Sequence, residues 1–162
     1  MQSFLKAISV SIILVLPLSG CNTSGSSTYA PGSLSDTVSL KGDKSKRLQV
    51  LGQEHFSEQN YGLAEKHFRK AVEIRSDNAT AWLGLAASLD QLGRFETADR
   101  AYAHLTDLKG SNSRVLNNMG YSYLLRGDYQ KARRYLNKAQ TLDPSLEEVQ
   151  GNIHLLEKVI SS

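Results

Sequence analysis

The chain repeats itself every 34 residues from about Ser45, and no other feature constrains its fold as strongly. Leu48, Leu51 and Gly52 recur as Trp82, Leu85 and Ala86, and again as Leu116, Met119 and Gly120. In the second half of each unit Tyr61, Ala64, Phe68 and Ala71 recur as Phe95, Ala98, Tyr102 and Leu105. They recur once more as Tyr129, Ala132, Leu136 and Ala139. The units are 45–78, 79–112 and 113–146, with no insertion between them. Within a unit, apolar residues fall three and four apart, the period of one helical face, so each unit reads as two helices. Gly52, Ala86 and Gly120 sit where paired helices approach closely, and Ala64, Ala98 and Ala132 do the same on the second helix. Turns fall at Gln59-Asn60, Gly93-Arg94 and Gly127-Asp128. Glycine there accepts the left-handed conformation that ends a helix, and Asp128 is placed to cap the next one.

This pattern resembles the tetratricopeptide repeat family over residues 45–146. The resemblance implies an all-α fold, a right-handed α-solenoid of three repeats plus a C-terminal capping helix. An ordinary bundle of helical hairpins is the competing reading, but three tandem units that keep spacing, small residues and aromatics together argue against it. Some positions depart from the family. Only Pro144 holds the usual proline near a unit's end, with Ser76 and Gly110 in its place elsewhere. Leu105 replaces a small residue, and His55 stands where a large apolar residue is common. These changes suggest looseness between units. Residues 147–162 then read as a cap, which a repeat array needs. Ser145 and Glu148 offer a capping box, and Val149, Ile153, Leu156 and Ile160 form one apolar stripe. Glu147, Gln150, Asn152, Glu157 and Lys158 supply the polar remainder. Seven helices are expected in all.

The N-terminus carries a different signal. Residues 1–20 hold one cation, Lys6, then the apolar run Ala7 to Pro17, then small residues. This is the layout of a secretory signal, and the run is too short to span a bilayer. Leu18-Ser19-Gly20-Cys21 contains the chain's one cysteine and resembles the lipobox of bacterial lipoproteins. The resemblance implies cleavage before Cys21 and acylation of its thiolate, a good nucleophile. The alternative is a plain signal peptide with a chance cysteine. Asn22 stands where that family places an aspartate for inner-membrane retention, which implies the outer membrane. Residues 21–44 are rich in Ser, Gly and Thr and read as a disordered tether. Its r.m.s. span would be about 25–30 Å. With no cysteine left for an internal disulfide, an exported domain must rely on packing. Loss of Lys6 leaves a net charge of +2, too balanced to suggest nucleic acid.

Catalytic chemistry is missing from the sequence. There is no Gly-x-Ser-x-Gly elbow, P-loop or dinucleotide fingerprint. His55, His67, His104 and His154 are scattered without zinc-ligand spacing. The reading is a non-enzyme without cofactor or metal.

What remains is the face of the first helices, which in tetratricopeptide repeats lines a concave groove. The inward positions carry over as Lys46, Gln49, Val50, Gln53, Phe56 and Ser57 in the first unit. They are Thr80, Leu83, Gly84, Ala87, Asp90 and Gln91 in the second, and Arg114, Asn117, Asn118, Tyr121, Leu124 and Leu125 in the third. The partner-binding candidates are Gln49, Gln53, Phe56, Leu83, Ala87, Arg114, Asn117, Asn118, Tyr121 and Leu125. This mix of apolar anchors and amides suits a peptide. Asn117 and Asn118 are placed to bond a ligand backbone, and Arg114 to attract a carboxylate. Leu124 and Leu125 have a second reading, packing under the terminal helix. Tyr121 is expected to face the groove and Tyr123 the core. A carboxylate clamp of the kind some relatives use has only Lys46 and Arg114 as candidates.

A narrower resemblance joins these parts. The stretch from Leu116 to Gly127 is similar to the last full repeat of the TadD family, the lipoproteins of Flp (tight-adherence) pilus assembly, and Val149-Gln150-Gly151-Asn152-Ile153 to the segment after it. That implies a periplasm-facing adaptor, anchored through Cys21, whose protein partner is a pilus secretin or another envelope assembly protein. A scaffold recruiting cell-wall hydrolases is the alternative within the same architecture. The lipobox reading makes a direct prediction. Fatty-acid labelling in cells should mark the wild-type protein and be absent from Cys21→Ser; label on the serine variant would refute acylation at this residue.

Overall fold

The computed structural model describes residues 42–162; the expected signal segment, Cys21 and nearly all of the expected tether lie outside the described residues. Among the described residues seven helices follow one another: α1 (Lys44–Ser57), α2 (Tyr61–Ile74), α3 (Ala79–Gln91), α4 (Phe95–Lys109), α5 (Ser113–Leu125), α6 (Tyr129–Leu142) and α7 (Glu147–Ser161). They pair as α1 with α2, α3 with α4 and α5 with α6, and α7 closes against α5 and α6. Among the described residues no helix is long and apolar enough to cross a membrane.

Local chemistry sets the helix ends in register. Each first helix is capped by a side-chain oxygen that accepts a backbone N–H: Asp43 from Lys46, Asn78 from Ala81 and Asn112 from Val115, at 2.9, 3.1 and 3.0 Å. Each first helix also ends the same way. Gln59, Gly93 and Gly127 adopt φ of 62°, 69° and 75°. The following N–H groups of Asn60, Arg94 and Asp128 donate back to His55, Leu89 and Tyr123 at 2.8, 2.8 and 3.0 Å. This is the six-to-one closure of a Schellman turn. Gln59 holds a left-handed conformation that costs a side chain of the order of 1 kcal/mol.

Helices within and between units meet where side chains are smallest. A Cβ added at Gly52 would lie 2.8 Å from the Phe68 ring, and one added at Gly84 would overlap the same ring from the next unit. Phe68 is thus held between two first-helix backbones. Gly120 stands 2.7 Å, by the same measure, from Leu136. Two hydrogen bonds repeat across the array: the Ser45 and Ser113 hydroxyls donate to the carbonyls of Ala71 and Ala139, at 2.9 and 2.8 Å.

The buried core divides into clusters along the array. One apolar cluster runs from Ala64 to Tyr102 through the first two units, with Phe68, Leu85 and Leu89 among its members. The third unit sends Met119 back against that cluster but otherwise packs on the cap, Leu116 and Ala139 against Val149, and Ala132 and Leu136 against Leu156. The joint between α4 and α5 is correspondingly smaller than that between α2 and α3.

Three details differ from the sequence reading. The capping box does not form. Ser145 gives both its N–H and its hydroxyl to Asp143 Oδ1, at 3.0 and 2.7 Å, and α7 starts from Leu146 without a side-chain cap. The acid two residues upstream captures the serine first. Ile160 is 46% exposed, because one turn after Leu156 the cap has passed the start of α6. Leu51 is 39% exposed while its counterpart Leu85 is buried. Leu85 faces a preceding unit, and among the described residues Leu51 has none to face.

The glycine contacts are testable. Gly84→Ala should lower stability by about 1–3 kcal/mol through overlap with Phe68. Combined with Phe68→Leu, the loss should fall short of the sum of the single variants, because the smaller side chain removes the clash. Thermal and urea melts of the four proteins measure this; strict additivity would show that the two residues do not touch.

Candidate peptide-binding trough

The first helices and the cap enclose a trough with two lobes. One, about 280 Å³, is lined by Gln53, Phe56, Leu83, Gly84, Ala87 and Arg114, with the Phe68 ring at its base. The other, about 480 Å³, is lined by Phe56, Ala87, Gln91, Asn118 and Tyr121, and by Glu148, Gly151 and Asn152 of α7. Phe56 and Ala87 belong to both, so the lobes adjoin. The first is largely apolar with one cation among its lining residues; the second is lined largely by amides, the phenols of Tyr102 and Tyr121 and the carboxyls of Asp90 and Glu148.

Eight of the ten candidate residues line this trough, and two do not. Gln49 is only 3% exposed, closed over where α3 packs on α1. Leu125 lines neither lobe and lies 38% exposed at the end of α5. Its neighbour Leu124 packs on the cluster of Ala132, Leu136 and Leu156, under the cap. Asn117 reaches the second lobe but is 6% exposed, and its Oδ1 accepts from Asn152 Nδ2 at 2.9 Å. That bond ties α5 to α7 and occupies the amide oxygen expected to meet a ligand backbone. Asn118 donates to the Arg114 carbonyl one turn back, at 2.9 Å. Tyr121 lines the second lobe. Tyr123 is half-buried and stacks on Tyr135 at 5.3 Å, away from the trough.

Asp90, expected to face inward, has become part of the floor. It is 3% exposed and accepts from Tyr102 and Ser122 at 2.9 and 2.5 Å. Arg126 approaches to 3.8 Å and makes a bidentate pair with Asp99 at 2.6 and 2.8 Å. Its guanidinium lies between the Phe95 and Tyr123 rings, 4.9 and 4.8 Å from their centres. Burial pushes the Asp90 carboxyl above its ordinary value, against the opposing pull of the two hydroxyls and Arg126. Burial, with the Asp90 charge beside it, pushes the Tyr102 phenol well up.

Sequence reasoning missed the α7 wall and Arg126. Asn152 reads as polar remainder and Glu148 as half of a capping box, and polarity cannot separate a groove wall from a solvated face. Three of the four histidines meet rings: His55 stacks on His67 at 5.2 Å, and His104 lies tilted against Trp82 at 4.2 Å. Among the described residues no group of three or more His, Cys, Asp or Glu could hold a metal ion.

Comparison with known proteins settles the family. Tetratricopeptide repeat family models match residues 55–117 and 113–146. The chain is a tetratricopeptide repeat protein. Its fold is the α-solenoid of that family, whose repeats serve as protein-interaction scaffolds. It is 29% identical over 94 residues to anaphase-promoting complex subunit 3 of Schizosaccharomyces pombe, covering 58% of this chain and 14% of that one. It is 24% identical over 119 residues to small glutamine-rich tetratricopeptide repeat-containing protein 2 of Mycosarcoma maydis, covering 74% and 34%. The chain thus spans about a third of the length of one of these curated relatives and a seventh of the other. Among solved structures it is similar to pilF of Pseudomonas aeruginosa. There the TM-score is 0.62 at 27% identity, over 74% of this chain and 55% of that one. The first tetratricopeptide domain of Spaghetti (RPAP3), solved with the HSP90 peptide SRMEEVD, has a TM-score of 0.61 at 17% identity, covering 74% and 94%.

The Asp90 carboxyl predicts a pH effect of definite sign. Its folded-state value lies above the unfolded 3.8, so folding takes up a proton in the window between them. The group's contribution to stability is greatest below the unfolded value and declines as pH rises through the folded one. The stability of wild type relative to Asp90→Asn should therefore fall as pH rises from about 4. Paired melts at matched ionic strength measure this; a difference that grows with pH would reverse the assignment.

Proposed function

We propose that this chain is a non-enzymatic, lipid-anchored adaptor on the periplasmic face of a bacterial outer membrane, docking a segment of an envelope assembly protein in its trough. The observation that carries the reading is the pairing of lobes. An apolar side chain fits over Phe56, Leu83 and Ala87, while the adjoining segment meets Asn118, Tyr121 and Gln91. Tyrosine gives a large contact at low entropic cost, the makeup of a binding anchor. Arg114 at the edge of the first lobe favours a partner carboxylate beside the apolar anchor.

The lipobox at Leu18 to Cys21 supports the membrane anchor, and Asn22 supports the outer membrane. Likeness of 116–127 and 149–153 to the TadD family supports Flp pilus assembly, with a secretin as the docked protein. The similarity to pilF of Pseudomonas aeruginosa, at 27% identity, supports placing the repeats in a bacterial protein. The peptide held by the RPAP3 domain shows what the shared fold accommodates in a relative.

Cross-linking in intact cells, with identification of the trapped protein, tests the pathway. A secretin or pilus component supports the reading; a cell-wall hydrolase in its place replaces the pathway with the scaffold alternative. Tyr121→Ala then tests the surface. It should weaken capture of that partner about tenfold or more, the loss of roughly 1.4 kcal/mol, with melting little changed. Retained capture by a folded Tyr121→Ala protein would exclude the trough.

A further inference from the structure

The side of the array away from the trough carries a separate cavity at the joint between the second and third units. The two joints provide an internal comparison. At the first, Trp82 and Leu85 of α3 pack into the shared core. Thirty-four residues later the same positions are Leu116 and Met119. There Met119 still packs against the first core and Leu116 against the cap, but a cavity of about 740 Å³ opens beside them between α4 and α6, lined also by Tyr135 and Leu142. Its size is that of a small-molecule site. Leu142 is 57% exposed at its edge.

The surroundings are charged on one side. A second cavity of about 240 Å³ adjoins the first across Tyr135 and Lys138, and adds Tyr123, Lys131 and Arg134 to the lining. Helix α6 carries Lys131, Arg133, Arg134 and Lys138 and no acid. Lys131 pairs with Asp128 at 2.9 Å, whereas Arg134 and Lys138 form no ion pair among the described residues. Asp107, across on α4, is the one acid lining the larger cavity.

We propose that these adjoining cavities bind a single-chain anionic amphiphile, its alkyl chain over Leu116, Met119 and Leu142 and its phosphate or carboxylate head beside Lys138 and Arg134. The cations gather where the two cavities adjoin, while Leu116, Met119 and Leu142 line the larger one together with Thr106, Ser111, Asn137 and Thr141. A peptide laid there would bring backbone amides over Leu116, Met119 and Leu142, where each unpaired group is costly. An alkyl chain has none to pair. The site is independent of the trough and its partner.

The test is calorimetric titration of the full chain with dodecyl phosphate below its micelle threshold. Dodecyl maltoside, inorganic phosphate and a short peptide of one leucine flanked by glutamates form the other arms. Dodecyl phosphate should bind at least about tenfold more tightly than any of the three. Lys138→Glu, at an exposed position, should weaken it by about the same factor while helical circular dichroism is kept. Leu116→Trp, which installs the residue found at the first joint, should remove binding, and the exposed Lys138→Glu decides the matter if that variant does not fold. Equal binding of dodecyl maltoside would reduce the site to a neutral apolar cleft and overturn the proposal. So would equal binding of inorganic phosphate, tighter binding of the peptide, or full affinity in Lys138→Glu.

Discussion

The Phe68 ring, pinned between the backbones of Gly52 and Gly84, is the contact on which the first two units depend. One side chain from a second helix touches its own first helix and that of the next unit, so packing within a unit and between units is a single event. This is possible only because both first helices lack a Cβ at the point of contact. The ring also forms the base of the apolar lobe of the trough. Thus the residue that joins two units also shapes the surface offered to a partner.

The second joint is built from different physics. Where Phe68 stands in the first unit, Tyr102 stands in the second, and its hydroxyl donates to the buried Asp90. Ser122 from the third unit donates to the other oxygen of the same carboxyl, and Arg126 closes the network onto Asp99. These directional bonds join the units on one side of α4, and the large cavity lies between α4 and α6. Buried polar networks of this kind are unforgiving, since a lost partner leaves a desolvated group behind.

Most of the fold is legible in the 34-residue period, because spacing, small residues and turn residues each carry a local physical requirement. Gly93 and Gly127 mark helix ends through their backbone freedom, and Gln59 takes the same conformation because the turn around it is the same. The trough is legible only in part. Gln49, Asp90 and Asn117 sit at inward positions by repeat register, yet all three are buried by neighbours whose approach no single unit specifies. Asn117 is taken up by Asn152, 35 residues away on a helix outside the repeat. Ser145 failed as a cap for a reason of the same type, a competing acid nearby that a motif does not weigh. Period reads what each unit does alone; it does not read what units do to one another.

The discontinuous core bears on how the array loses structure. A solenoid's stability is a sum of unit terms and nearest-neighbour couplings, and here the couplings are unequal. The first rests on Phe68 held between two backbones, with the Arg94–Glu65 ion pair beside it at 2.7 Å. The second rests on the buried Asp90 network, with the Arg126–Asp99 pair beside it, and it is the smaller joint. Salt weakens an exposed ion pair at both joints, so the order of opening follows their size: the third unit and its cap open as one block while the first two stay closed. Amide exchange along the chain would then divide near Gly110, the residue with φ of 71° that links the two blocks.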